Sequence, residues 1–510
     1  MRGGFWGVIG AVAGLAAAAT VSAQTVAPVK APVVAAKPAQ AAAVAPAAPS
    51  KLPPGPCASV EPLIAAGDLA STDFDRYRGA RNYAAKLDYD RAVDRAPACG
   101  LAWLHRGAFH LDQMEFDKAR ADSDAALARL PKRSVSAAQA YVVRGEAEVG
   151  LAENTGAPGS KVDSEMAAVA IADLSQAMTL GLIDDHILAE RWTIYSAIGD
   201  KVHAMADLDQ AIALDPDNLD LIMERGDAHM QNGQYDAAAA DFAMLRARAR
   251  MDDPQRLFAY VSGALALERS GARDKAIALL SEALTEDPKS NILLGERAGI
   301  YMRSGDFDRA ITDLSVIIAK GDNESFDAYI QRARAYTGKH DVPAAMADID
   351  AALKLNPNEG MAYVLRGQID EHQGDVAAAI ADYDQGSKTF TSDGAILAAN
   401  AACWIRATHN IELDKALAAC NAALEHAPDY TAALDSRGFV HFRRGEYADA
   451  VTDYTAALKR SPKLASSLFG RALAEQKLGQ ADAAKADFAA ARVAKPDIDA
   501  EFKAYGVMAE

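Results

Sequence analysis

Residues 100–132 read GLAWLHRGAFHLDQMEFDKARADSDAALARLPK, and the same order of small, large and charged residues returns along most of the chain. With Gly100 as position 1, Gly107 stands at position 8, Ala119 at position 20 and Pro131 at position 32. Alanine returns at position 20 in twelve units, most of them 34 residues apart: Ala85, Ala119, Ala170, Ala204, Ala238, Ala276, Ala310, Ala345, Ala379, Ala416, Ala450 and Ala484. A unit of this length that recurs so often predicts a repeat architecture.

Each unit is predicted to form two antiparallel helices. Glycine or alanine at position 8 and alanine at positions 20 and 27 let the helices approach closely, and larger residues at positions 4, 11 and 24 fill the space between them. Proline at position 32 ends the second helix, because it lacks an N–H group and disfavours helix at the residue before it. Turns such as Asn232-Gly233 end the first helix. One hairpin cannot bury its apolar face alone, so we expect the hairpins to stack.

Position by position, this pattern resembles the tetratricopeptide repeat (TPR). The resemblance covers nearly everything after residue 60. It implies an all-α fold, a right-handed α-solenoid of about twelve TPR helical hairpins that ends in a capping helix. It also implies a protein that binds other proteins.

The repeat spacing sets the expected domain organisation. The array takes residues 57–496, with a polar loop inserted at 152–164 and an irregular repeat at 394–428. The distance between successive alanines at position 20 lengthens to 51 and 37 residues at these two places. Residues 497–510 are predicted to form a capping helix and tail, since apolar residues recur there at helical spacing.

The first residues predict export. Arg2 precedes an apolar run, and residues 21–23, Val-Ser-Ala, offer a small-x-small cleavage pattern. We expect residues 1–23 to be a signal peptide that is removed, since the apolar run is short for a membrane span. Residues 24–56 are almost entirely alanine, proline and valine, which predicts an extended, disordered linker. The expected location is a Gram-negative periplasm or the outside of the cell.

The charge balance argues against two classes of partner. The chain has 70 acidic and 53 basic residues, a formal net charge of −17. Nucleic acids and anionic membrane surfaces attract clustered lysine and arginine, which this balance disfavours. We expect neither partner, and no membrane span after signal cleavage. A capping helix at the end of the array predicts a monomer.

Two charges recur at fixed positions. Arginine occupies position 7 and aspartate position 23 in most units, as in Arg366 and Asp382. Regular recurrence predicts a structural tie with forked arginine–carboxylate geometry. The tie could lie within a repeat or between neighbours. The sixth repeat lacks both residues, which favours the first arrangement, whereas the first repeat has Asp88 but Thr72 at position 7, which favours the second.

The four cysteines permit two disulfides in an exported chain. Cys403 and Cys420 fall on the two helices of one hairpin, near positions 7 and 24, where they should face each other. Cys57 and Cys99 lie at the same end of the array and form the second predicted pair. The alternative is free buried thiols. A metal site is not expected, because the cysteines and histidines lack ligand spacing.

The resemblance also implies which side chains line the concave groove of the array, namely those at positions 2, 5, 9, 12 and 13 of the first helix. The candidate partner-binding residues are Glu146, Met223, Asp227, Met230, Glu268, Arg334, Gln368, Glu371, Asp435, Phe439 and Phe442. Their mixture of acidic and apolar groups suggests a basic or amphipathic ligand segment.

The sequence therefore predicts a non-catalytic protein-interaction scaffold in the cell envelope. The chain lacks HExxH, GxSxG and phosphate-loop patterns, and the repeats leave no room for an enzyme domain. We expect no catalytic residue, no metal and no cofactor. The alternative is a periplasmic protein that binds glycans or small ligands, or an accessory subunit of an enzyme.

Overall fold

The computed structural model describes most of the chain beyond its N-terminal segment: residues 55–71, 78–154, 164–250, 253–321, 325–388 and 393–508. These residues form twenty-five α-helices and no β-strand, which confirms the all-α prediction. The expected signal peptide and nearly all of the expected linker lie outside the described residues, as does most of the expected inserted loop. Among the described helices, none combines the length and the apolar character that a membrane span requires.

The helices alternate between the first (A) and second (B) helix of twelve hairpins, and one helix follows the last hairpin. In chain order they are α1 (Glu61–Ser71), α2 (Arg78–Arg95), α3 (Gly100–Asp112), α4 (Phe116–Leu127), α5 (Val135–Asn154), α6 (Ser164–Thr179), α7 (Asp185–Ile198), α8 (Lys201–Leu214), α9 (Leu219–Gln231), α10 (Tyr235–Arg248), α11 (Pro254–Arg269), α12 (Arg273–Glu286), α13 (Asn291–Arg303), α14 (Phe307–Ile318), α15 (Ser325–Gly338), α16 (Val342–Leu355), α17 (Gly360–Gln373), α18 (Val376–Gly386), α19 (Asp393–His409), α20 (Leu413–His426), α21 (Thr431–Arg444), α22 (Tyr447–Arg460), α23 (Ala465–Lys477), α24 (Ala481–Ala494) and α25 (Ile498–Ala504).

The chain divides into two compact units, residues 1–204 and residues 205–510, and the division falls within α8. Each unit is a series of helical hairpins in which consecutive helices pack together. The twelve alanines at position 20 are all at most 3% exposed. A larger side chain at these places would push the paired helices apart, which explains why the alanine recurs.

Within the residues that the structure describes, the recurrent arginine and aspartate form a fork in at least eight hairpins. Nε and Nη2 of Arg297 donate to the two carboxylate oxygens of Asp313 at 2.8 and 2.7 Å, and Nη1 donates to Ser281 Oγ of the preceding hairpin at 2.9 Å. The other forks are Arg106–Asp122, Arg144–Asp173, Arg225–Asp241, Arg332–Asp348, Arg366–Asp382, Arg437–Asp453 and Arg471–Asp487. In each of these, Nη1 again donates to a polar side chain of the preceding hairpin. The tie within a repeat and the tie between neighbouring repeats, which the sequence left open as alternatives, therefore occur together.

In nine of the described hairpins, the turn between the A and B helices places the residue at position 15 in the left-handed region. Seven glycines take φ values of 71° to 89° there: Gly199, Gly233, Gly271, Gly305, Gly374, Gly445 and Gly479. Met114 and His340 hold the same turn position with φ of 59° and 62°. A side chain in this region is strained, because its Cβ atom crowds the backbone, at a cost of about 1–2 kcal/mol.

Met114→Gly is expected to stabilise the first unit by about 0.5–1 kcal/mol, because relief of strain exceeds the entropy cost of glycine. The Met114 side chain is 73% exposed, so little packing is lost. The denaturation midpoint measures the effect. Gly233→Ala is the control and should destabilise the second unit, since a Cβ atom at this residue meets nothing within 4 Å and only backbone strain remains. An unchanged or lower midpoint for Met114→Gly would contradict the argument.

Both cysteine pairs are disulfide-bonded. Cys57 joins Cys99 with an S–S distance of 2.08 Å, and Cys403 joins Cys420 at 2.05 Å. The first bond links the segment before α1 to the residue that precedes α3, and the second links α19 to α20. All four cysteines lie within the described residues, and none is free.

Candidate functional site

The second unit carries the candidate surface on its A helices. We name it the A-helix face and define it by positions 2, 5, 6, 9, 12 and 13 of the hairpins that hold α9, α11, α13, α15 and α17. A contact between successive hairpins shows that these positions lie side by side. Arg303 in α13 donates from Nε and Nη2 to the two carboxylate oxygens of Glu268 in α11, both at 2.7 Å.

Carboxylates outnumber cations on the A-helix face. Seven carboxylates stand against three guanidinium groups: Asp220, Glu224, Asp227, Glu268, Glu296, Asp327 and Glu371 against Arg269, Arg303 and Arg334. Because Arg303 is already paired with Glu268, the remaining face is strongly negative.

The protein around several of these carboxylates partly removes them from water. Burial raises the pKa of Asp227 to about 6. Burial also raises the pKa of Glu224, to which Asp227 and Asp220 add repulsion, and the pKa of Glu296. Glu296 is exposed to solvent, so a cation can reach its carboxylate. A partner that covers these carboxylates strengthens the attraction, because less water then screens it.

Apolar side chains lie between the carboxylates. Met223 and Met230 are half-buried, whereas Leu265 is 40% and Ile292 is 54% exposed. A surface that combines negative charge with open apolar side chains fits a ligand segment with cations and apolar groups on the same side.

Most of the predicted groove residues are accessible. Arg334 and Gln368 are half-buried, and Glu371 is exposed and accepts a hydrogen bond from Tyr383 Oη at 3.0 Å. Glu268 is the exception on this face, because its carboxylate is held by Arg303. The sequence pattern did not anticipate that pair, since the two positions recur without a fixed charge.

In the first unit, Glu146 is half-buried and lies 3.1 Å from Nε2 of His186. The hydrogen bond with Glu146 raises the pKa of His186 to about 9. The histidine is therefore charged at neutral pH, and Glu146 already has a cationic partner.

Two predicted groove residues are not open to a partner, which corrects the prediction. Phe439 is 1% and Asp435 is 8% exposed. The ring of Phe439 packs 5.6 Å from that of Phe502 in α25, and the Asp435 carboxylate accepts a hydrogen bond from Ser467. Phe442 is half-buried and stacks on Phe439 at 6.3 Å. The repeat pattern assigns these residues to the groove but does not show that the C-terminal segment covers them.

A recurrent histidine contact is a feature that the sequence analysis missed. His441, Glu446 and Asp449 place one potential ligand atom each within 4.8 Å of one another, as a metal site would. His441 Nδ1 already lies 2.6 Å from Glu446 Oε2, and Nε2 lies 3.7 Å from Asp453 of the fork. The same contact recurs as His110 with Glu115 and as His229 with Gln234. In one hairpin the residue that contacts the histidine is glutamine, which is a poor metal ligand. The recurrent contact is therefore better explained as a structural link between the turn and the fork. Its signal in the sequence is histidine at position 11 with Glu or Gln five residues later.

Comparison with known families agrees with this architecture. Sequence models of the tetratricopeptide repeat match residues 203–254, 267–335, 330–390, 412–465 and 437–497, together just over half of the chain. The chain therefore belongs to the tetratricopeptide repeat family.

Relatives are similar over part of their length. DnaJ homolog subfamily C member 3 of Gallus gallus is 26% identical over 291 residues, which are 52% of this chain and 57% of the relative. The chain thus spans little more than half the length of this relative. Yeast Tom70 has a TM-score of 0.41 at 13% identity, over 86% of this chain and 98% of that chain. PilW, a type IV pilus biogenesis factor, has a TM-score of 0.35 at 20% identity, over 40% of this chain and 94% of that chain.

Proposed function

We propose that this protein is a non-catalytic scaffold that binds a basic, amphipathic segment of a partner protein along the A-helix face of its second unit. Membership of the tetratricopeptide repeat family supports a protein-interaction role. The excess of carboxylates over guanidinium groups on this face is the observation that carries the choice of ligand. Glu224, Asp227 and Glu296 would pair with lysine or arginine side chains.

Apolar contacts would supply the remainder of the affinity. Leu265 and Ile292 are exposed between the carboxylates, and burial of such side chains against a partner is favourable by about 25 cal/mol per Å². The ionic part of the affinity should weaken as salt concentration rises, because exposed charges are screened.

The proposal includes export to a periplasm or to the cell exterior. The signal-like residues 1–23 support it. The pairing of all four cysteines supports it independently, because disulfides persist in oxidising compartments and are rare in reducing ones.

A labelled synthetic amphipathic peptide of lysine and leucine tests the ligand class by fluorescence anisotropy. The mature chain is expected to bind it, and to bind the peptide with glutamate in place of lysine far more weakly. Glu224→Gln with Glu296→Gln should weaken binding of the lysine peptide about fivefold to tenfold at low salt, because each exposed ion pair is worth up to about 1 kcal/mol.

The matched control removes two carboxylates from B helices. Asp236 and Asp274 are exposed in the first turns of α10 and α12. Asp236→Asn with Asp274→Asn changes the net charge equally and should leave binding unchanged. If both double variants weaken binding equally, binding depends on net charge alone. That result would contradict the proposal. Binding of cell-wall glycan fragments in place of the peptide would support the glycan alternative.

A further inference from the structure

The last helix, α25, lies on the A helices of the final three hairpins. Phe502 is 2% exposed, and its ring packs 4.6 Å from that of Phe469 and 5.6 Å from that of Phe439. The ring of Tyr505 meets that of Trp404 edge to face at 5.6 Å. Trp404, Phe439 and Phe469 belong to three successive A helices, α19, α21 and α23. The C-terminal segment therefore crosses these helices as a bound peptide would.

Arg443 adds a polar contact to this aromatic site. It donates to the main-chain carbonyl of Tyr505, which follows the last residue of α25. The same guanidinium donates to the carbonyls of Ala407 and Thr408 at 3.1 and 3.3 Å and lies 5.0 Å from the centre of the Phe439 ring. A helix C-terminus leaves carbonyl groups without intrahelical partners, and Arg443 satisfies one of them.

Apolar side chains hold the segment: Ile498 is 0%, Phe502 is 2% and Val507 is 8% exposed, and Tyr505 packs beside them. α25 has seven residues and follows α24 after a three-residue connection, residues 495–497. A helix of this length is not stable alone in water, so its helical form depends on the surface beneath it. The Arg492–Asp499 pair beside it is about half exposed on both sides, at 47% and 46%, so solvent screens the attraction.

We propose that Trp404, Phe439, Phe469 and Arg443 form a second docking site, whose external ligand is a helical partner segment with two aromatic residues three positions apart. The helix C-terminus of that ligand faces Arg443. In the present state, residues 498–507 of the chain itself occupy the site as an intramolecular ligand. A partner segment binds only when it displaces them. This site is separate from the acidic A-helix face and does not depend on the function proposed for that face.

The tether makes the chain's own segment a strong competitor. A short connection holds it at an effective concentration on the order of millimolar, so an external segment of equal intrinsic affinity binds weakly to the intact chain. Loss of the two aromatic side chains should vacate the site.

Binding of a labelled peptide with the sequence of residues 495–508 tests the proposal by fluorescence anisotropy. The full chain with Phe502→Ala and Tyr505→Ala is expected to bind this peptide at least about tenfold more tightly than the wild type. The same peptide with alanine at both aromatic positions should not bind. Arg443→Met, added to the double variant, should weaken binding several-fold. Equal affinity for the wild type and the double variant would overturn the proposal.

Hydrogen exchange on the wild-type chain gives a second test that needs no substitution. A millimolar excess of the unlabelled peptide should speed exchange of the chain's own amides at residues 498–507 and leave α23 and α24 unchanged. Unaltered exchange at this excess would also overturn the proposal. Light scattering tests whether the wild-type chain forms a dimer by exchange of C-terminal segments. A dimer that is lost in the double variant would overturn the proposed partner segment and identify a second copy of the chain as the ligand.

Discussion

Arg297→Met is expected to lower the free energy of unfolding of the second unit by about 3–5 kcal/mol. Methionine keeps the apolar stem of the arginine but removes the charge that both oxygens of Asp313 face. The Asp313 side chain is only 7% exposed, so its negative charge would remain in the interior without a partner. Ser281 would also lose the hydrogen bond that joins it to the next hairpin. Chemical denaturation followed by circular dichroism measures the loss.

An exposed fork supplies the matched control. Arg492 donates from Nε and Nη2 to Asp499, both at 2.7 Å, but both side chains are about half exposed. Arg492→Met should therefore cost less than about 1 kcal/mol. The double variant Arg297→Met with Asp313→Leu should recover most of the loss, because no unpaired charge remains. If Arg297→Met costs no more than Arg492→Met, burial is not what makes the fork important.

The repeated features were predictable from the sequence because each of them occurs in the same structural environment in many hairpins. The alanines at position 20 meet a neighbouring helix in every hairpin, and all twelve are buried. The fork was predictable as a tie, since Arg366 and Asp382 occupy positions that recur together. Whether the tie joins residues within one hairpin or in neighbouring hairpins was not predictable, because recurrence does not show which acceptors the individual nitrogens of one guanidinium contact. Arg366 uses two nitrogens for Asp382 in its own hairpin and the third for Asp350 in the preceding one.

The candidate site was predictable only where the repeat continues. Met223 and Asp227 are half-buried on α9, and their assignment to a partner-binding surface stays a prediction. Phe439 occupies an equivalent position, yet residues outside the repeat cover it. Where Phe502 packs depends on contacts with three hairpins at once, and no spacing within a single unit contains that information.

The irregular repeat replaces one kind of tie with another. Cys403 stands at position 7, where eight other hairpins carry the arginine of the fork. Its bond to Cys420 joins α19 to α20 covalently. Arg406 donates hydrogen bonds of 2.8 and 2.7 Å to the carboxylate of Asp384 in the preceding B helix. Asp384 occupies the position to which Nη1 of the fork arginine donates in the other hairpins. Arg406 is 1% exposed, so the link to the preceding hairpin is preserved at a shifted position.

Removal of the Cys403–Cys420 bond should therefore have a large and local effect. Cys403→Ala with Cys420→Ala is expected to cost about 3 kcal/mol, because the bond closes a loop with a sequence separation of 17 and no fork supports the same hairpin. Hydrogen exchange should become faster in α19 and α20 and remain unchanged in the first unit. Cys57→Ala with Cys99→Ala removes a bond with a sequence separation of 42 and should lower the free energy of unfolding by about 4 kcal/mol. Hydrogen exchange should then become faster only in α1 to α3. Unchanged exchange in α19 and α20 after the first pair of substitutions would mean that Arg406 and the packed alanines hold this hairpin without the disulfide.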